Sequence, residues 1–296
     1  MNRGTVTDIN RDVAATLKLC GPAVLMTENG TVVPDMCQQL LAVITKRHPC
    51  QQDLGDEGEE VDLDESSEYD WLVIETAMEV VTCLAVALGG QFAELWKMFE
   101  KPILKYASSQ EATERSAAVG TMAECIGNMG EGCTQYQSGL LRVLLHRLSD
   151  EDPDTKSNAV YGMGLLCEKT TNDDEIVKNL PTIFSKIEPL LDAKDNARLL
   201  DNTAGCVSRF ISKHIDRLPV AEVLPRLVQL LPLREDYEEN KPVFGMIVQL
   251  YQRNDPTVQQ LTPQLMPVIE QALNSEDQLL DETRAQLTEL VQYLRK

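Results

Sequence analysis

One pattern constrains this chain more than any other: an apolar stripe that returns at a fixed spacing. Ala159, Val160, Met163, Leu166 and Cys167 stand at helical spacing, so they share one face of one helix. Stepping back 41 residues gives Ala118, Val119, Met122, Cys125 and Ile126. A second step of 41 gives Ala77, Met78, Val81, Leu84 and Ala85. Going forward, Thr203, Pro242 and Ala285 take the same slot less cleanly, at steps of 44, 39 and 43. A helical hairpin repeated every 40 or so residues cannot bury its apolar faces alone, but stacked copies can.

Helical periodicity between Gly and Pro breaks predicts helices over 7–20, 33–47, 69–88, 91–106, 110–128, 135–148, 154–169, 174–191, 195–213, 219–231, 237–252, 257–273 and 279–294. No segment shows the period-two alternation of a strand. The first helix of a pair is Leu-rich, as in Leu140, Leu141, Leu144, Leu145 and Leu148. The second opens after an Asp-bearing turn and carries a small residue (Ala77, Ala118, Ala159) at the close contact. The expected fold is all-α: one α-solenoid of about six HEAT repeats over 1–296. The alternative is an irregular helical bundle, which three equally spaced stripes disfavour.

The formal net charge is −20. That excludes a surface built to grip nucleic-acid phosphates and suits a basic partner. Half of it lies in residues 53–70, where ten of eighteen residues are Asp or Glu. Like charges so packed resist compaction, so the segment reads as a disordered loop. It is either a solvated linker or an electrostatic attractor for a basic ligand. No apolar run reaches the length of a membrane span, and no membrane is expected. The start of the chain has no signal-peptide pattern.

Eight cysteines without a Cys-x-x-Cys pair read as free thiols. His48, His146 and His214 lie on separate segments, with no nucleophile or metal-ligand spacing around them. No catalytic residue, cofactor or metal is expected. Trp71 and Trp96 read as core.

The segments 149–168 (SDEDPDTKSNAVYGMGLLCE), 199–211 (LLDNTAGCVSRFI) and 223–251 (VLPRLVQLLPLREDYEENKPVFGMIVQLY) resemble the C-terminal part of the importin-β (karyopherin-β) family. The resemblance covers about 90–296, and the first 90 residues match more loosely. It implies a C-terminal fragment of a longer nuclear import receptor that shuttles between cytoplasm and nucleus. It implies a basic cargo, such as a core histone or ribosomal protein. Ran GTPase is expected as a partner of the full-length receptor but not of this fragment.

In such a solenoid the second helices line the concave side, and a Lys-rich segment lying across them needs carboxylates and amides. Asn158 and Asn202 hold the same slot on successive second helices. Asp154 lies one turn before Asn158, and Tyr161 three residues beyond it could cover a Lys stem. Asp201 neighbours Asn202, and Glu238 and Glu239 open a later second helix. Glu79 lies three residues after Thr76, which holds the equivalent slot on an earlier second helix, and Asp281 and Glu282 mark a weaker place on the last. Each has a structural alternative: the Asn residues bond between helices, Asp154 starts its helix, Tyr161 packs, and the Glu pair favours a helix N-terminus. The competing function is a HEAT scaffold that assembles other proteins through apolar ridges.

Overall fold

The protein is described by a computed structural model covering residues 2–26, 31–52 and 63–295; for 63–69 only the helical backbone is described. Among the described residues there are fourteen α-helices and no strand. They fall into two compact units, one of 1–143 with 169–171, the other of 144–168 with 172–296.

In the first unit, α1 (Arg3–Cys20), α3 (Leu63–Leu88) and α5 (Ala112–Met129) pack side by side as one layer. Helices α2 (Val32–Ile44) and α4 (Ala93–Tyr106) pack against it as a second. The α3 and α5 stripes from Ala77 to Ala85 and from Ala118 to Ile126 are closed off from solvent, as their repetition requires. A polar rung joins neighbours within the layer: Asn10 donates to the Thr76 hydroxyl at 3.1 Å. Helix α6 (Gln137–Arg147) starts in this unit, and its last turn, from Leu144, is counted with the second.

The second unit repeats the plan. Helices α7 (Pro153–Lys169), α9 (Ala197–His214), α11 (Asn240–Gln252) and α14 (Asp281–Leu294) form one layer. Helices α8 (Asp174–Ile187), α10 (Val220–Val228), α12 (Pro256–Gln260) and α13 (Thr262–Asn274) complete the pairs. The interior prolines Pro102, Pro181, Pro225 and Pro267 all lie in α4, α8, α10 and α13, the first helices of their pairs. Each lacks the N–H for one rung of its helix.

Every residue from Leu199 to Ile211 is buried, which makes α9 the most enclosed helix of its unit. Phe210, one turn from its C-terminal end, meets Phe184 of α8 edge-on, with ring centroids 5.5 Å apart. Gly164 explains how closely α7 approaches: a Cβ there would lie 2.9 Å from the Cys206 Cα.

Four expectations need correction. The buried slot of the last two repeats is Val243 and Thr283, not Pro242, which is half-buried, or Ala285, which is exposed. The step therefore settles to 40 residues twice, from Thr203 to Val243 to Thr283. The helix expected over 257–273 breaks at Leu261 because Pro263 cannot donate to Gln259, whose carbonyl accepts the Thr262 hydroxyl at 2.8 Å instead. The acidic loop is expected over 53–70, but α3 already begins at Leu63; 53–62 lie outside the described residues. Lastly, Asp70–Tyr106 does contain a window apolar enough to span a membrane, with mean hydropathy 1.9. More than half of that window, 56%, is buried within the protein, which accounts for its apolarity as core.

Six of the eight cysteines are buried, and all eight are free thiols. Burial pushes the Cys37 thiol up to about 11 and raises Cys167 further, so both are neutral and poor nucleophiles.

His214 closes α9, and its Nε2 is buried without a hydrogen-bond partner. Burial lowers its pKa, against the pull of Asp173 and together with Lys213 and Arg217. A lowered folded pKa gives stability that is present above the ordinary imidazole pKa and lost as pH falls through the folded value. His214→Gln is expected to flatten the loss of stability between pH 7 and pH 5, measured by urea unfolding at each pH. An unchanged slope would remove His214 from the account.

Candidate functional site

On α7 the side chains at 154, 158, 161, 165 and 168 share one face. Asp154 and Glu168 are exposed there, Asn158 and Tyr161 half-buried, and Leu165 buried. Asp154 is not the helix cap. That role belongs to Asp152, whose carboxylate accepts from the Thr155 amide at 2.7 Å and its hydroxyl at 2.6 Å. Asp152 is positioned in turn by Asp150, which accepts its amide at 3.0 Å and an Arg147 bond at 2.8 Å. Asp154 is thus left at the first turn with its carboxylate in water.

The centre of the site is a cation the sequence reading missed. Arg209 of α9 makes a bidentate ion pair with Glu239 and donates its Nε to Glu168 at 2.9 Å. Its guanidinium lies over the Tyr161 ring, 5.8 Å from the centroid. Burial alone would disfavour this charge, but Glu239 and then Glu168 outweigh it and raise the Arg209 pKa. Burial pushes the Glu239 carboxyl up, and Arg209 pulls it back down without cancelling the rise. One guanidinium therefore ties α7, α9 and the start of α11 together. Gly205 makes the space: a Cβ there would fall 1.3 Å from Glu239 Oε2.

A second carboxylate organises the turn before α11. Asp201 Oδ2 accepts the backbone N–H groups of Arg234 at 2.9 Å, Glu235 at 2.7 Å and Asp236 at 3.0 Å. These bonds hold the turn that presents Glu238. Burial, then the charge of Glu238, raise the Asp236 pKa, so carboxylates crowd this turn.

Asp201, Asn202 and Glu239 are each about 1% exposed, and the reading of them as direct ligand contacts is corrected. Asp201 is committed to backbone amides and Glu239 to Arg209. Asn202 donates to Ser157 at 3.0 Å, the bond between neighbouring helices that was its structural alternative. All three are supports. Asp154, Asn158, Tyr161 and Glu238 reach the surface of the same unit. Glu79 belongs to the other unit, where it pairs with Lys18 at 2.7 Å. Asp281 and Glu282 are exposed in the first turn of α14. Arg209 carried one usable signal, a charge inside the small and apolar run GCVSRFI, which demands a buried counter-charge. Among the described residues, no cluster of three or more His, Cys, Asp or Glu could hold a metal ion.

Stacked antiparallel helix pairs with a 40-residue step define a HEAT-type α-solenoid. No family model matches the chain. Over 264 residues it is 36% identical to the probable importin subunit beta-4 of Schizosaccharomyces pombe, covering 86% of this chain and 25% of that protein. Over 297 aligned positions it is 32% identical to importin-4 of Homo sapiens, covering 99% of this chain and 27% of the relative. Its fold matches that of Kap121p solved with Ste12p bound, at a TM-score of 0.63 and 13% identity, over 96% of this chain and 28% of that one. The chain belongs to the importin-β (karyopherin) family. It spans about a quarter of the length of these curated relatives.

Proposed function

We propose that this chain is the cargo-holding part of a nuclear transport receptor, shuttling between cytoplasm and nucleus. Its second unit receives an extended Lys-rich segment, such as a core histone tail or a ribosomal-protein import signal. The observation that carries this reading is a division of labour among carboxylates. Glu239 and Asp201 are buried and satisfied from within, while Asp154 and Glu238 stay exposed, with no ion pair among the described residues. Asn158 and Tyr161 follow Asp154 on the same face of α7, one and two turns further on. The fold match to Kap121p, solved with Ste12p bound, is in keeping with cargo binding. Ran binding is assigned to parts of the receptor outside this chain.

A groove of about 600 Å³ between α8 and α10, lined by Leu180, Pro181, Phe184, Leu218 and Val223, favours the scaffold alternative. Calorimetry with a lysine-rich peptide separates the two. Asp154→Asn with Glu238→Gln is expected to weaken binding about tenfold, with a steeper loss as salt rises in the unsubstituted protein. Salt-independent binding that ignores both substitutions would favour the scaffold.

A further inference from the structure

A second groove lies between α11 and α14, away from the Arg209 network. It encloses about 350 Å³ and is lined by Val248, Tyr251 and Gln252 of α11, Asn254 of the following turn, and Gln286, Glu289, Leu290 and Tyr293 of α14. Its floor is apolar: Tyr251 and Leu290 are buried, and Val248 is half-buried. The Tyr251 hydroxyl is engaged with Thr262 at 2.7 Å, so this residue offers the groove its ring and not its polar end. The rim is polar and exposed. Glu289 and Tyr293 stand one turn apart on the same face of α14, and Tyr293 is 65% exposed.

The charge balance of this groove is one-sided. Its lining holds one carboxylate, three amides and no cation. Glu289 makes no ion pair or side-chain hydrogen bond among the described residues. The arginines adjoining these helices are engaged elsewhere: Arg253 with Asp216 at 3.8 Å, Arg295 with Glu270 at 2.7 Å, and Arg284 with the carbonyls of Leu273 and Ser275. An apolar floor under an unpaired carboxylate and an aromatic ring suits a long alkyl chain that ends in a cation.

We propose that this groove takes one lysine side chain of the partner, its ammonium at Glu289 and its stem against Tyr293 and Leu290. The proposal rests on the reading that a basic segment crosses this unit, and adds a separate anchoring point to it. The test uses the full chain, a lysine-rich peptide, and analogues in which one lysine at a time becomes norleucine, which keeps the stem and removes the charge. Glu289→Gln with Tyr293→Ala is expected to weaken the parent peptide about tenfold. One norleucine analogue, weakened by a similar factor on the unsubstituted protein, is expected to lose that sensitivity on the variant. Both substitutions are at exposed positions, and an unchanged urea melt confirms that the variant folds.

Two results would overturn the proposal. If the peptide binds and responds to Asp154→Asn with Glu238→Gln, but Glu289→Gln with Tyr293→Ala binds like the unsubstituted protein, the groove is not a lysine site and the wider reading stands. If the peptide fails to bind the unsubstituted protein at all, both fall together.

Discussion

Replacing Arg209 with Met is expected to cost the second unit about 3–5 kcal/mol in urea unfolding, because Glu239 stays enclosed and loses its counter-charge. The reason lies in the asymmetry of buried ion pairs. Bringing the pair out of water is expensive, so an apolar replacement of both partners is often neutral, while loss of one leaves a lone charge in a poor solvent. Arg209→Met combined with Glu239→Met is therefore expected to recover most of the loss. The same logic applies to Gly205, whose missing Cβ leaves room for Glu239 Oε2. Gly205→Ala expels that carboxylate from its seat, and its effect is expected to shrink strongly in a Glu239→Ala background. Additive effects of Gly205→Ala and Glu239→Ala would show that the carboxylate and the glycine are not coupled.

Asp201→Ala is the second large effect, expected at about 3 kcal/mol, since hydrogen bonds to a charged acceptor are the strong ones and three are lost together. Its functional consequence differs from that of a surface change. The three amides belong to residues 234–236, and Glu238 follows directly. Freeing this turn is expected to weaken lysine-rich peptide binding even though Glu238 itself is intact. Backbone amide exchange would check the cause: residues 234–236 are expected to lose protection in the variant. Retained protection would place the turn's rigidity elsewhere, most simply in the packing around Leu233.

The repeat was legible because burial imposes it. Each second helix must hide five residues on one face, so Ala118 to Ile126 and Ala159 to Cys167 carry the same stripe and are all enclosed. The pattern blurred at Pro242 and Ala285, where the apolar slot passes to Val243 and Thr283 and small residues outside it look deceptively similar. The site was half legible. Composition identifies acids and amides but does not say which of two adjacent acids points inward. Glu238 and Glu239 are neighbours in sequence, yet one is exposed and the other enclosed. That difference depends on Arg209, 30 positions away from Glu239 in the chain. The groove between α11 and α14 was invisible for the same reason, since Tyr251 and Tyr293 line one groove only when two repeats stack.

Photo-crosslinking of a lysine-rich peptide, with the attached positions read by mass spectrometry, reaches the central claim most directly. Crosslinks are expected on α7 around Asp154 and Tyr161, on the turn before α11 and along the groove at Tyr293, all lost when the peptide lysines are acetylated. Crosslinks concentrated between α8 and α10, or unaffected by acetylation, would contradict it.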